Sequence, residues 1–159
     1  MSEKRRTLEL LDRAYKAKAW HGPALLETLE GVTPAMAAKR VVKGAHTIWE
    51  LVDHVATWNT IVAARVAGQK PKQVDPSLNF PKTPRATPAA WKKSLARLAA
   101  SQRRFRAAVA KFPEKDLGRI RAATKQSWNV LIHGQIQHQL YHAGQIALLR
   151  RGMGKEIKQ

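Results

Sequence analysis

Apolar positions along the chain recur at helical spacing in four long segments, and none of them alternates with the period of two expected of a strand. In the first, residues 7–29, Leu8, Leu11 and Tyr15 make one stripe, Trp20-His21-Gly22-Pro23 interrupts it, and Leu25, Leu26 and Leu29 resume it. Pro23 suits the first turn of the restarted helix, where its missing N–H is not needed. The second segment opens on Thr47-Ile48-Trp49-Glu50, the spacing of a capping box, in which hydroxyl and carboxylate each satisfy a free backbone N–H. It continues through Leu51, Val55, Trp58 and Val62 and is predicted to stop near Gly68. The third covers 89–112, with Trp91, Leu95, Leu98, Phe105 and Val109 inward, and the fourth runs over 127–151, closed by Gly152 and Gly154.

Between the second and third segments, residues 69–88 hold five prolines (Pro71, Pro76, Pro81, Pro84, Pro88) and few periodic apolar positions. Such a stretch reads as an extended crossover long enough to run the length of a bundle, which would leave helices two and three parallel. Neither flank has enough apolar sequence to fold alone, so one all-α domain over 1–159, a four-helix bundle, is expected.

Composition narrows the chemistry. The 159 residues include six His and no Cys, which excludes disulfides, thiolate metal sites and cysteine nucleophiles. Apolar runs such as 61–64 and 146–149 are too short to span a bilayer, and the charged N-terminal sequence lacks a signal peptide's apolar core, so a cytoplasmic protein with no membrane partner is expected. Lys plus Arg number 29 against 11 Asp plus Glu, a net charge of +18, which suggests an acidic partner. Between Lys92 and Lys125 there are eleven basic residues and two acids, and Lys93, Arg97 and Arg104 follow one helical stripe. A nonspecific, salt-sensitive nucleic-acid surface is one reading, and a solvated basic face is the other. Trp91 and Phe105 fit the inward side, which leaves no base-stacking platform among the cations.

The histidines carry the sharper signal. His138 and His142 lie four apart within the fourth segment, so their rings project about 40° apart and one turn apart, the arrangement two imidazoles need to share a metal. Leu131, Gln135, Gln145 and Leu149 share that face, so both rings are expected to point inward. Two readings stand at this point: a metal pair, or two hydrogen-bonded core histidines. His54, between Leu51 and Trp58 on the inward stripe of the second segment, is the best third ligand. Three neutral imidazoles plus water would make an open site for Zn²⁺ or Ni²⁺. Taken alone, His54 also fits a satisfied interior histidine.

His46 precedes the cap residue, where it serves the start of the helix, and His133 is aimed elsewhere around the fourth helix. His21 lies in the Trp-His-Gly break and is the candidate for proton transfer, against a plain hinge role. Trp20, Trp58 and Gln145 are the candidate ligand-binding residues around the site. No paired carboxylates, Ser-His-Asp spacing or glycine-rich phosphate loop offers a competing catalytic set.

Three blocks carry a family resemblance: Ala19-Trp20-His21-Gly22-Pro23, the stretch from His46 to Val55, and His138-Gln139-Leu140-Tyr141-His142-Ala143-Gly144-Gln145-Ile146. Together they resemble the DinB/YfiT-like superfamily of metal-dependent four-helix proteins, over nearly the whole chain. The resemblance implies an up-down-down-up bundle with the crossover between helices two and three, a divalent metal on His54, His138 and His142, and a homodimer. It also implies chemistry with a low-molecular-weight thiol, of transferase or isomerase type, on a small-molecule substrate that the basic charge suits if it is anionic. Hydrolysis is equally open on the residues alone. So is a non-catalytic bundle in which the metal only ties helices together. Two positions depart from the family: Gln139 stands where an acid often follows the first helix-four histidine, and Val130 where a Glu would complete a capping box with Ser127.

Overall fold

Hydroxyl side chains set where most of the helices begin. The computed structural model describes residues 1–16, 18–69, 76–122, 124–155 and 157. These form seven α-helices: α1 (Glu3–Tyr15), α2 (Leu25–Leu29), α3 (Pro34–Ala38), α4 (Ile48–Val66), α5 (Pro76–Asn79), α6 (Pro88–Lys111) and α7 (Trp128–Gly152), with a 3₁₀ turn at Glu114–Asp116. No strand occurs among the described residues, only an isolated bridge between Ile120 and Ser127. Ser2, Thr33, Thr47, Thr87 and Ser127 each accept a backbone N–H at an N-cap, a contribution of about 1 kcal/mol apiece. At α4 the expected box is closed: Thr47 Oγ1 accepts from the Glu50 N–H at 3.1 Å, and the Glu50 carboxylate accepts from the Thr47 N–H at 2.8 Å. The helix ends at Ala67, and Gly68 follows with φ of 78°, a left-handed conformation that costs glycine little.

Several local expectations are corrected. The break in the first segment starts at Lys16, well before Trp20, and Lys18 takes a positive φ of 62°. Pro23 precedes the cap residue of α2, Ala24, and so does not occupy its first turn. Leu26 faces solvent, because a five-residue helix can bury only one side, here Leu25 and Leu29. α3 was not anticipated, although Thr33-Pro34 is a cap followed by an N1 proline. The crossover contains the short helix α5; Pro71 lies outside the described residues, and 81–87 carry no regular structure.

α4 packs against both α6 and α7, and α1 closes against the same two helices; α3 and α5 also touch α4. Contact on so many sides explains why α4 is buried almost all round, from Ile48 through Thr57 except at Glu50, and again at Asn59, Val62, Ala63 and Val66. Its polar residues must therefore find partners inside. The apolar core is divided in two. One cluster gathers Trp49, Val52, Val55, Trp91, Leu98 and Ile146, and the other gathers Leu11, Val62, Phe105, Val109, Ile132 and Ile136. Between them in chain order on α4, α6 and α7 lie Asn59, Ser101, Gln102 and Gln139, with Gln135 one turn before Gln139 on α7, all buried. Asn59 Oδ1 accepts from Gln135 Nε2 at 2.8 Å and from Gln139 Nε2 at 2.9 Å, and Gln102 Oε1 accepts from Asn59 Nδ2 at 3.1 Å and from Gln139 Nε2 at 3.0 Å. This amide layer underlies the site described next.

Candidate metal centre

α4 and α7 bring His54, His138 and His142 together, with one ring nitrogen from each lying within 4.8 Å of the others. His138 Nε2 is 2.9 Å from His54 Nε2 and 3.0 Å from His142 Nε2. The outer nitrogens fix the proton positions. His54 Nδ1 donates to the Asn79 carbonyl at 2.6 Å, and His142 Nδ1 donates to Gln145 Oε1, also at 2.6 Å. Both rings therefore turn an unprotonated Nε2 toward His138. A single N–H on His138 can point squarely at only one of them, so this cluster of lone pairs is better satisfied by a cation than by hydrogen bonds. A tetrahedral Zn²⁺ with Zn–N near 2.05 Å separates its ligand nitrogens by about 3.3 Å, close to the spacing found here. The residues fit a divalent ion.

Electrostatics agree with neutral ligands. Burial pushes the imidazolium pKa of all three rings down. His138 falls furthest, to about 3, through burial and the proximity of His142 and His54. No carboxylate contacts the triad among the described residues. Gln135 Nε2 approaches His138 Nδ1 at 3.5 Å, linking the site to the amide layer.

One cavity opens on the triad itself, and a second borders Gln145, the partner of His142. The first, of about 500 Å³, is bordered by His54, Trp58, Val62, Asn79, Leu131 and His138 among others. Trp58 stands edge-on to His54 and His138 and donates its indole N–H to Asn79 Oδ1 at 2.9 Å. The second cavity is smaller, and Gln145 borders it with His46, Leu51 and Leu149. Phe80 is sandwiched between His46, at 3.5 Å between ring centroids, and His54, at 4.1 Å.

Of the residues singled out in the sequence, the structure brings together His54, His138, His142, Trp58 and Gln145. It does not bring Trp20 and His21 to them. Both line a separate cavity with Lys18, Gly22, Pro23 and Glu27, and Trp20 is wholly exposed. His133 is engaged elsewhere, 3.2 Å from Thr7 Oγ1. Gln139 makes no hydrogen bond to a triad ring among the described residues; it is fully buried in the amide layer, so the position that often carries an acid in the resembling family orients no ligand here. Sequence reasoning missed Asn79, Phe80 and Asn59. Asn79 acts on His54 through its backbone carbonyl, which no side-chain pattern advertises.

Comparison with known proteins follows the same direction. The family model described as the DinB superfamily matches residues 19–146. The crystal structure of a conserved protein from Enterococcus faecalis is similar to this chain with a TM-score of 0.75 and 20% identity, covering 98% of this chain and 99% of that one. At that identity the likeness speaks for the fold alone. No curated protein matches the chain.

Proposed function

The chain belongs to the DinB superfamily, and from that premise we propose that it is a divalent-metal-dependent enzyme in which His54, His138 and His142 hold one Zn²⁺ or Ni²⁺ through Nε2. The observation that carries this reading is the meeting of three neutral imidazoles, with His138 Nε2 2.9 Å from His54 Nε2 and 3.0 Å from His142 Nε2, beside an open cavity. When bound, such an ion supplies a Lewis-acid centre that lowers the pKa of a low-molecular-weight thiol or of water.

The chain's own residues do the rest. Asn79 and Gln145 accept the Nδ1–H of His54 and His142, which fixes each tautomer and ring angle. Trp58, held by Asn79, walls the cavity and excludes water from the face where a small electrophilic substrate would sit. The reaction class is transfer or isomerisation with a thiol, or hydrolysis with water. Trp20 and His21 receive no step, because they line a different cavity. The same reading takes residues 1–159 as one cytoplasmic domain acting as a homodimer. It also takes α1, α4, α6 and α7 as an up-down-down-up four-helix bundle, supported by the closed ring of contacts among them.

Metal analysis of the purified protein tests the reading, repeated on His54→Ala and His138→Ala. Near-stoichiometric metal in the parent and at least tenfold weaker binding in each variant are expected. Full metal retention by both variants would sink the triad. Metal that raises Tm without promoting any thiol or water addition to electrophiles would favour the non-catalytic bundle.

A further inference from the structure

α6 contributes +7 of the chain's net +18, since its 24 residues include seven basic side chains and no acid. Two of the seven are committed within the fold. Arg97 pairs with Asp53 at 3.3 Å and donates to Thr57, and Arg106 pairs with Asp12 at 3.0 Å. The stripe of Lys93, Arg97 and Arg104 read from the sequence is thus broken at its middle. The remaining five, Lys92, Lys93, Arg103, Arg104 and Lys111, are exposed and make no ion pair among the described residues.

Their arrangement is regular. At 100° per residue, Lys92 and Arg103 fall in one row about 20° wide, and Lys93, Arg104 and Lys111 in a second row about 100° away from the first. Ala96, Ala100 and Ala107 lie between the rows and leave a shallow lane. From Lys92 to Lys111 the axis advances about 28 Å, about four-fifths of one 34 Å turn of a nucleic-acid duplex. Five like charges on one such face repel each other, and a polyanion would relieve that repulsion and release its own counterions.

The face also selects among polyanions. None of the large exposed apolar side chains is on α6, so nothing there could insert below lipid headgroups. Its Trp91 and Phe105 are buried, so no ring is free to stack on an unpaired base. What the face can do is hold regularly spaced phosphates. We propose that the exposed face of α6 is a docking surface for double-stranded nucleic acid, gripped through its phosphates and without base readout. DNA and RNA duplexes share this chemistry. The surface does not depend on the proposed metal site.

Fluorescence anisotropy of the full chain with 20-base-pair DNA and RNA duplexes of random sequence, from about 50 to 200 mM salt, tests the proposal. With up to five phosphates engaged, log K should fall against log salt with a slope of about −4. The Lys93→Gln/Arg104→Gln pair should weaken duplex binding at least tenfold and reduce the slope by about 2. Removing two exposed charges elsewhere, with Lys39→Gln/Lys43→Gln, should leave the slope within about 0.5 of the parent. His138→Ala should bind duplex unchanged. The proposal is overturned by absence of duplex binding at the lowest salt, by an equal loss in the control pair, or by tighter binding of a single strand or of phosphatidylglycerol vesicles than of either duplex.

Discussion

Gln139→Glu restores the acid that the family often carries at this position, and the structure predicts that it damages the protein. Gln139 is wholly buried and donates one amide nitrogen to two acceptors, Asn59 Oδ1 and Gln102 Oε1, while its own Oε1 has no partner among the described residues. A carboxylate there would turn an acceptor toward two acceptors and lose both hydrogen bonds, with no cation at hand. Burying an unpaired charge costs several kcal/mol, so a loss of about 3–5 kcal/mol is expected at pH 7. For a chain of this length that is a fall in Tm of about 8–16 °C.

Gln139→Leu separates lost donors from added charge. Asn59 Oδ1 keeps its donor from Gln135, Gln102 Oε1 keeps its donor from Asn59, and the unpartnered Oε1 is removed, so a cost of only about 1–2 kcal/mol is expected. The assay is urea unfolding of both variants at pH 7 and pH 5. Burial raises the introduced carboxyl's folded pKa above its unfolded value, so the folded state binds the extra proton and the Glu penalty should shrink as pH falls. Equal stabilities for the Glu and Leu variants, or a Glu variant that grows weaker relative to the parent toward pH 5, would refute the description of this layer.

Acid should weaken the metal-free parent. His138 titrates near 3 in the fold and near 6.5 when unfolded, so its contribution is complete above pH 6.5 and is lost progressively as pH falls toward 3. At pH 5 the loss is about 2 kcal/mol before screening and about 1 kcal/mol for a ring that is only partly buried, and the dependence should diminish in His138→Ala when unfolding is measured at pH 7 and pH 5. Thr47→Ala removes the hydroxyl half of the box that starts α4; thermal denaturation should register a loss of about 1 kcal/mol, or 2–4 °C, while metal stoichiometry stays unchanged, because His54 lies almost two turns further on.

The long helices were legible because their signals are local. Thr47 and Glu50 close a box between neighbours in the chain, Ser127 caps α7, and periodic apolar residues place the buried faces of α4, α6 and α7 without reference to any partner. The five-residue helices α2 and α3 have too few turns to show a period, so the sequence distinguishes neither the exposed Leu26 from its buried neighbours nor α3 from a loop. The triad was legible for the same local reason on α7, where His138 and His142 share a face by spacing alone; His54 needed its place on the apolar stripe of α4 and the family motif.

What the chain by itself determined is therefore the helical class, the major caps, the exclusion of thiolate ligands that follows from the absence of Cys, and the family. Tertiary structure decided which side chains meet. It set Asn79, 25 residues from His54, against that ring, and it buried Gln139 in an amide layer away from the ligands. It also drew Arg97 out of the basic stripe to Asp53 and paired Arg106 with Asp12, while the other five cations of α6 make no ion pair among the described residues. Sequence periodicity gives the direction of a side chain about its own helix axis; the partner it finds depends on how helices distant in sequence are packed, and that carries no local signature.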